Sequence, residues 1–391
     1  MKTKTNFRRF VRYIMLVLPV MAIAGIAWSQ PPRGPLVISP QINADKSVTF
    51  RYLAPIANEV KLSGQFLKAP VAMTKDAQGI WSVTTEPIKP DIYPYNFQVD
   101  GIGVMDPANV AFFPNERFKA SLVEIPADVP SVYSLRDVPH GTISYEYYPS
   151  VEGSTGTIVV YTPPGYTKEK AKKYPVFYLI SGTTDTEETF YKVGKTNFIL
   201  DNLIADGKAK PMIVVMPYGN PAARIAEQKG LSKPADIMNR DSEDAVKRAK
   251  FFETDLITNI IPYIEKNYRT LNTRENRAIA GFSRGGGQTL RAAFNNMDKF
   301  AWVCSYASYI SPAEMDRIFS HITTNAQQTN KQLKLLWSGI GTEDFLYKGT
   351  VEFEEYLKAK KVNFKSYVTD GGHTWMNVKK YMSETLPLLF Q

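Results

Sequence analysis

From about residue 145 the chain alternates short, almost wholly apolar runs with longer stretches of helical period. V-F-Y-L-I at 176–180 and M-I-V-V-M at 212–216 leave no polar face at all. A strand of that kind has to be covered on both sides, which is the condition of a parallel sheet sandwiched between helices. The runs at 156–161, 175–180, 212–216, 277–281, 302–306, 334–338 and 363–368 are therefore expected as strands. Helical patterns at 196–206, 251–268, 285–295, 350–360 and 374–389 lie between or after them. The expectation is a doubly wound, mostly parallel α/β domain.

Residues 30–130 read differently. Short alternating runs at 47–52, 59–63, 80–84 and 93–99 are separated by turn signals such as D-A-Q-G at 76–79 and D-G at 100–101. Even spacing of short strands predicts a small all-β sandwich. Trp81, Tyr93 and Tyr95 are either glycan-contacting aromatics or, as period-2 aromatics more often are, core. The expected division is 1–29, 30–130 and 131–391. Residues 220–250, charged and weakly helical, form either an insertion at the rim of a site or a plain connection.

The first 29 residues have the layout of a secretory signal: Lys2, Lys4, Arg8, Arg9 and Arg12, then an apolar run from Tyr13 to Trp28, then small residues at Ala27 and Ser29. Pro19 and Gly25 interrupt the run, which is shorter than the roughly 20 residues of a spanning helix. Export, to the periplasm or beyond, with no stable membrane insertion after removal of the signal, is the expectation; a retained anchor is the alternative. The chain carries a formal net charge of +9, and five of those charges belong to the signal. The remainder is mildly basic with no clustered stripe, so nucleic acid is not an expected partner. Cys304 is the sole cysteine and sits in an apolar run, so it reads as core, not nucleophile.

The most specific motif is A-I-A-G-F-S-R-G-G-G at 278–287, which places G-x-S-x-G as Gly281, Ser283 and Gly285 between an expected strand and an expected helix. That context is the nucleophile elbow of α/β-hydrolases: a tight turn holds the serine at the sheet's C-terminal edge, and glycines on either side let strand and helix approach. The helix start behind it offers free N–H groups and a positive dipole end. A serine nucleophile needs a base. Of three histidines, only His321 and His373 follow Ser283, and only His373, in D-G-G-H-T-W, lies on a Gly-rich turn after a strand. The acid belongs between them. Asp344 in G-T-E-D-F-L-Y is the candidate, with Glu343 in reserve. Oxyanion donors are expected from the N–H of Arg284 and from Gly182 or Thr183, on the loop S-G-T-T-D-T after the strand at 175–180. Asp185, Glu187 and Glu188 on that loop read as surface charges.

Y-P-V-F-Y-L-I-S-G, L-I-A-D-G-K-A-K-P-M-I-V-V-M-P, N-R-A-I-A-G-F-S-R-G-G-G-Q, G-T-E-D-F-L-Y and G-G-H-T-W together resemble the Putative esterase (esterase D-like) family, which includes feruloyl and acetyl xylan esterases. The stretches F-R-Y-L-A-P-I-A-N-E-V-K-L-S-G, G-I-W-S-V and Y-P-Y-N-F-Q-V-D-G resemble the immunoglobulin-like module, related to carbohydrate-binding module family 48, that precedes such esterases. The resemblance implies an α/β-hydrolase with Ser283, Asp344 and His373 as its triad, and Phe190, Tyr347 and Trp375 as substrate-binding aromatics. Two departures stand out: Ser181-Gly182 replaces the usual His-Gly, and Arg284 stands where Met is common.

What the residues and the resemblance together imply is a serine carboxylic-ester hydrolase acting through an acyl-enzyme, without metal or cofactor. Its expected substrate is a feruloyl or acetyl ester on a plant polysaccharide or oligosaccharide. A siderophore or small aryl-ester esterase is the enzyme alternative. A non-catalytic glycan-binding protein on a decayed hydrolase scaffold is the alternative of another class.

Overall fold

The computed structural model describes residues 35–232 and 243–391. The signal layout at 1–29 and the middle of the 220–250 segment lie outside them. Residues Val37–Gln391 pack as one unit.

Nine strands precede the α/β region: β1 (Gln41–Ile42), β2 (Val48–Leu53), β3 (Val60–Gly64), β4 (Val71–Ala72), β5 (Thr74–Lys75), β6 (Ile80–Thr84), β7 (Asp91–Val99), β8 (Ile102–Val104) and β9 (Ser121–Ile125). They form two sheets, in the orders β1-β2-β6-β5 and β4-β3-β7-β8, with β9 also paired to β7. All pairings in both are antiparallel. Alternate residues point inward: Val48 and Phe50 from one sheet meet Val60, Leu62, Tyr95 and Phe97 from the other. Trp81, Tyr93 and Tyr95 are all buried in this core, as period-2 aromatics of a sandwich are.

The second region is an eight-stranded sheet of β10 (Thr142–Pro149), β11 (Thr155–Thr162), β12 (Val176–Ile180), β13 (Ile213–Pro217), β14 (Arg277–Phe282), β15 (Trp302–Tyr306), β16 (Leu335–Gly341) and β17 (Lys365–Thr369). The order is β10-β11-β13-β12-β14-β15-β16-β17. β10 and β11 run antiparallel, and every pairing from β13 to β17 is parallel. Alternate residues of β12 feed opposite faces: Phe177 and Leu179 join one apolar layer, Val176, Tyr178 and Ile180 the other. This is the mostly parallel α/β arrangement expected from the apolar runs.

Three local differences have physical causes. β10 was not expected. Its sequence T-I-S-Y-E-Y-Y-P lacks the unbroken apolar run of the central strands: Tyr145 and Tyr147 are exposed, and half-buried Glu146 accepts from the Tyr263 and Tyr268 hydroxyls. The helical stretch at 251–268 is a helix Glu243–Asp255, a π-turn Leu256–Ile260 and a helix Ile261–Asn267; Pro262, which has no N–H, follows the register change. Between β15 and β16 run three short helices, Pro312–Ile318, Ser320–Thr324 and Ala326–Gln332, where only a polar helical stretch was legible.

The two regions share a core. Ile92 and Leu122 belong to one apolar layer of the central sheet, and Met376 packs against the sandwich interior. Among the described residues, no helix is long and apolar enough to cross a membrane.

Candidate active site

Ser283 stands between β14 and the helix Arg284–Asn295 with φ 56° and ψ −116°. A side chain at positive φ is strained, and the surrounding bonds hold it there. The Ser283 N–H donates to the Tyr306 carbonyl at 2.9 Å, and its own carbonyl accepts from the Gly287 N–H at 3.1 Å. The flanking glycines are steric necessities. A Cβ on Gly281 would lie 2.3 Å from the Gly285 carbonyl carbon, and one on Gly285 would lie 2.1 Å from the Ile180 oxygen. Strand and helix thus touch backbone to backbone, as the motif predicts.

Asp344 and His373 come from the loops after β16 and β17. These loops are joined at their bases: the Thr342 N–H donates to the Thr369 carbonyl at 2.9 Å and the Glu343 N–H to the Gly371 carbonyl at 3.0 Å. A Cβ on Gly341 would fall 2.1 Å from the Gly371 oxygen, so this closeness also needs glycine. His373 Nδ1 lies 2.7 Å from Asp344 Oδ2. Asp344 Oδ1 accepts from the Leu346 N–H at 2.8 Å, so both carboxylate oxygens are engaged. A carboxylate accepts, so Nδ1 carries the proton and Nε2 keeps its lone pair. Phe282 and Phe345 flank the imidazole, each with its centroid 4.6 Å away, which fixes the ring plane. Glu343 is exposed, and the partner of His373 is Asp344.

The other histidines lie elsewhere. His140 bonds Asp201 and the Arg136 carbonyl, and His321 bonds the Phe294 carbonyl. Cys304 is fully buried, and burial pushes its thiol well above the usual range.

Ser283 and His373 line one cavity of about 880 Å³, with Trp375, Thr183 and Arg284. The N-terminal region supplies much of the opposite wall, including Gln65, Tyr95, Asn96, Phe113 and Phe118. Exposed Phe345, next to Asp344, lines it as well. Of the oxyanion candidates, Arg284 opens the helix behind Ser283 and Thr183 faces the cavity, whereas Gly182 is buried behind it. Of the aromatics, Trp375 reaches the cavity. Phe190 lies behind the wall, edge-on to Trp375 at 4.8 Å, and Tyr347 begins the helix after Asp344 without lining the cavity. The sandwich residues in the wall carry no local sequence signal, because only packing of two regions brings them there.

The loop carboxylates differ from the surface-charge expectation. Glu187 is buried and accepts from Thr157 Oγ1 at 2.5 Å; Glu188 is partly buried beside Lys192, at 2.8 Å. Asp185 is 4% exposed and lines the cavity. Burial pushes its carboxyl up to about 7, against the opposing pull of the Asn115 amide, the Arg284 guanidinium, the Gly182 backbone and the Trp375 side chain. A carboxyl whose folded pKa lies above its unfolded one binds more protons folded than unfolded between those values. Its contribution to stability is therefore present at low pH and lost as pH rises from about 4 to about 7. Relative to Asp185→Asn, the wild type is expected to lose roughly 2–4 kcal/mol of unfolding free energy between pH 4 and pH 8. Urea denaturation of both chains across that range checks this, and a constant difference between them refutes it.

The family model described as Putative esterase matches residues 151–388. An endo-1,4-beta-xylanase/feruloyl esterase of Xylanibacter ruminicola is 31% identical over 362 residues, covering 89% of this chain and 46% of that protein. Endo-1,4-beta-xylanase Y of Acetivibrio thermocellus is 26% identical, covering 94% of this chain and 34% of its own length. The chain thus spans less than half the length of these two curated relatives. Among solved structures, a ferulic acid esterase superposes with a TM-score of 0.52 at 25% identity, over 64% of this chain and 98% of that one. The enterobactin esterase FES of Shigella flexneri reaches 0.60 at 15% identity, over 88% and 93%, a likeness of fold alone. With the family model matched across the whole region that carries the elbow, the acid and the histidine, the chain belongs to the Putative esterase family, on an α/β-hydrolase fold.

Proposed function

We propose that the chain is a serine carboxylic-ester hydrolase that removes feruloyl or acetyl groups from a plant polysaccharide or oligosaccharide. One observation carries the reading: Ser283 and His373 line a single cavity, and the buried Asp344 backs the imidazole at 2.7 Å. In this mechanism His373 Nε2 takes the Ser283 proton as Oγ attacks the ester carbonyl. The oxyanion rests on the Arg284 N–H and on the loop after β12, at a helix N-terminus. The imidazolium, held by Asp344, returns its proton to the departing alkoxide, leaving an acyl-serine. Water then attacks by the same route and frees the acid. Phe113, Phe118, Phe282, Phe345 and Trp375 give the cavity an aromatic wall suited to a flat acyl group.

The substrate class draws support from the relatives named as xylanase/feruloyl esterase and ferulic acid esterase. A chain acting on such polymers works outside the cell, in keeping with removal of residues 1–29 as a signal. The test is chromatographic assay of acids freed from feruloylated and from acetylated xylo-oligosaccharides. Release of ferulate or acetate is expected, with saturation kinetics. Cleavage of small aryl esters alone would move the assignment to the aryl-ester or siderophore alternative. No hydrolysis of any ester would point to the non-catalytic one.

A further inference from the structure

The geometry points to Asn115 and Asp185 as positioning residues through which the N-terminal sandwich region holds the oxyanion loop in its working shape. This rests on the proposed esterase reading of the site. The loop leaves β12 and carries a non-glycine residue, Thr184, at φ 64°, a conformation it has little reason to keep by itself. Residues 114–116, from the sandwich region, run antiparallel beside it. The Glu116 N–H donates to the Thr184 carbonyl at 2.8 Å, and Asn115 pairs with Asp185 as an isolated antiparallel bridge. Thr189 Oγ1 donates to the Pro114 carbonyl at 2.8 Å.

The side chains lock this contact. Asn115 Oδ1 accepts from the Arg117 and Phe118 N–H groups at 2.9 and 3.0 Å. Two backbone donors identify that atom as the oxygen, so the amide nitrogen has to face the other way. It donates to Asp185 Oδ1 at 2.9 Å, with both residues buried. Asp185 Oδ2 lies 3.0 Å from where a Gly182 Cβ would be, and the carboxyl also interacts with the Gly182 backbone, Arg284 and Trp375. One carboxyl group therefore joins the sandwich region, the oxyanion loop, the residue after Ser283 and an aromatic two residues from His373. Misplacing oxyanion donors by about 1 Å costs on the order of 10²-fold in rate, and the cost falls on the transition state alone.

The experiment uses the full chain and p-nitrophenyl acetate. Asn115→Leu removes the donor, and Asn115→Asp sets two carboxyls against each other. Each is expected to lower kcat by about 10-fold or more with KM within about 2-fold. The exchange Asn115→Asp with Asp185→Asn restores one donor and one acceptor across the contact and is expected to recover kcat to within about 3-fold. A purely structural contact would shift the thermal transition and leave the kcat of folded protein unchanged. Single variants with near-normal kcat, or an exchange that fails to recover the loss, would overturn the inference. Should the single variants not fold, the exchange variant decides alone. Ser283→Ala runs alongside: activity retained there refutes the esterase reading itself, whereas its loss together with normal Asn115 variants refutes only the positioning role.

Discussion

Ser283→Ala is expected to lower kcat for p-nitrophenyl acetate by on the order of 10³-fold or more, with the thermal transition close to that of the wild type. The hydroxyl is the only group removed. Alanine keeps the Cβ, so the strain at φ 56° is unchanged, and the backbone bonds to Tyr306 and Gly287 do not involve the side chain. What disappears is the oxygen proposed to form the acyl-enzyme. Residual turnover would come from the oxyanion donors and from water activated by His373, which are small terms once the nucleophile is gone. KM is expected to change little, because the cavity wall is untouched. Burst kinetics with a slowly deacylating ester checks the same point: wild type releases one equivalent of p-nitrophenol quickly, and the variant shows no burst. A variant that keeps more than a tenth of the wild-type rate would remove Ser283 from the mechanism.

Gly285→Ala is expected to be among the most damaging single-methyl additions in the chain. An added Cβ meets the Ile180 oxygen at 2.1 Å, the Ser181 oxygen at 2.6 Å and the Ile180 carbonyl carbon at 2.7 Å. All three atoms are backbone, so no side chain can rotate away. Either the helix Arg284–Asn295 moves off β12 or the loop after β12 shifts. Alanine would otherwise favour a helical position by about 0.5–1 kcal/mol over glycine. The clash outweighs that gain, and a net loss of about 3 kcal/mol or more is expected. Urea denaturation measures it, and whatever folded protein remains should also lose activity, because the helix carries the Arg284 N–H. Substitution at Gly207 is a fair control for the added methyl group. That residue has φ 69° but nothing within 4 Å of its Cβ position, so alanine there meets only backbone strain. Equal stability of Gly285→Ala and wild type would mean that strand and helix do not approach as described.

The parts of this protein legible in its sequence are those set by local patterning. V-F-Y-L-I and its counterparts had to become buried strands because they have no face that tolerates water, and six of the eight strands of the central sheet, β11 to β16, follow from such runs, whereas the expected strand β17 lies at the edge with no residue buried. The elbow was legible because its motif is local, with Gly281 set against Gly285, even though Gly285 also answers the distant Ile180 carbonyl. Chain order and turn context singled out His373. The choice between Asp344 and Glu343 was open in the sequence, since both are acidic residues on one loop; the turn that buries Asp344 and exposes Glu343 decided it. Phe190 was misplaced for a similar reason. An aromatic near the oxyanion loop can face the cavity or back its wall, and packing against Trp375 put it behind.

Other features came from contacts between residues far apart in the chain. Asp185 read as a solvated carboxylate because nothing within several residues shows that Asn115, 70 positions earlier, covers it. The wall formed by Gln65, Asn96 and Phe118 is likewise invisible to any local pattern. Sequence by itself determined the fold class, the elbow and the chain order of the three candidate catalytic residues, because each follows from periodicity or from sterics inside one turn. Only the tertiary structure decided which carboxylate meets His373, which aromatics reach the cavity, and that residues 114–116 of the sandwich region pair with the loop after β12, because burial and pairing are properties of surfaces that meet only after the chain has folded.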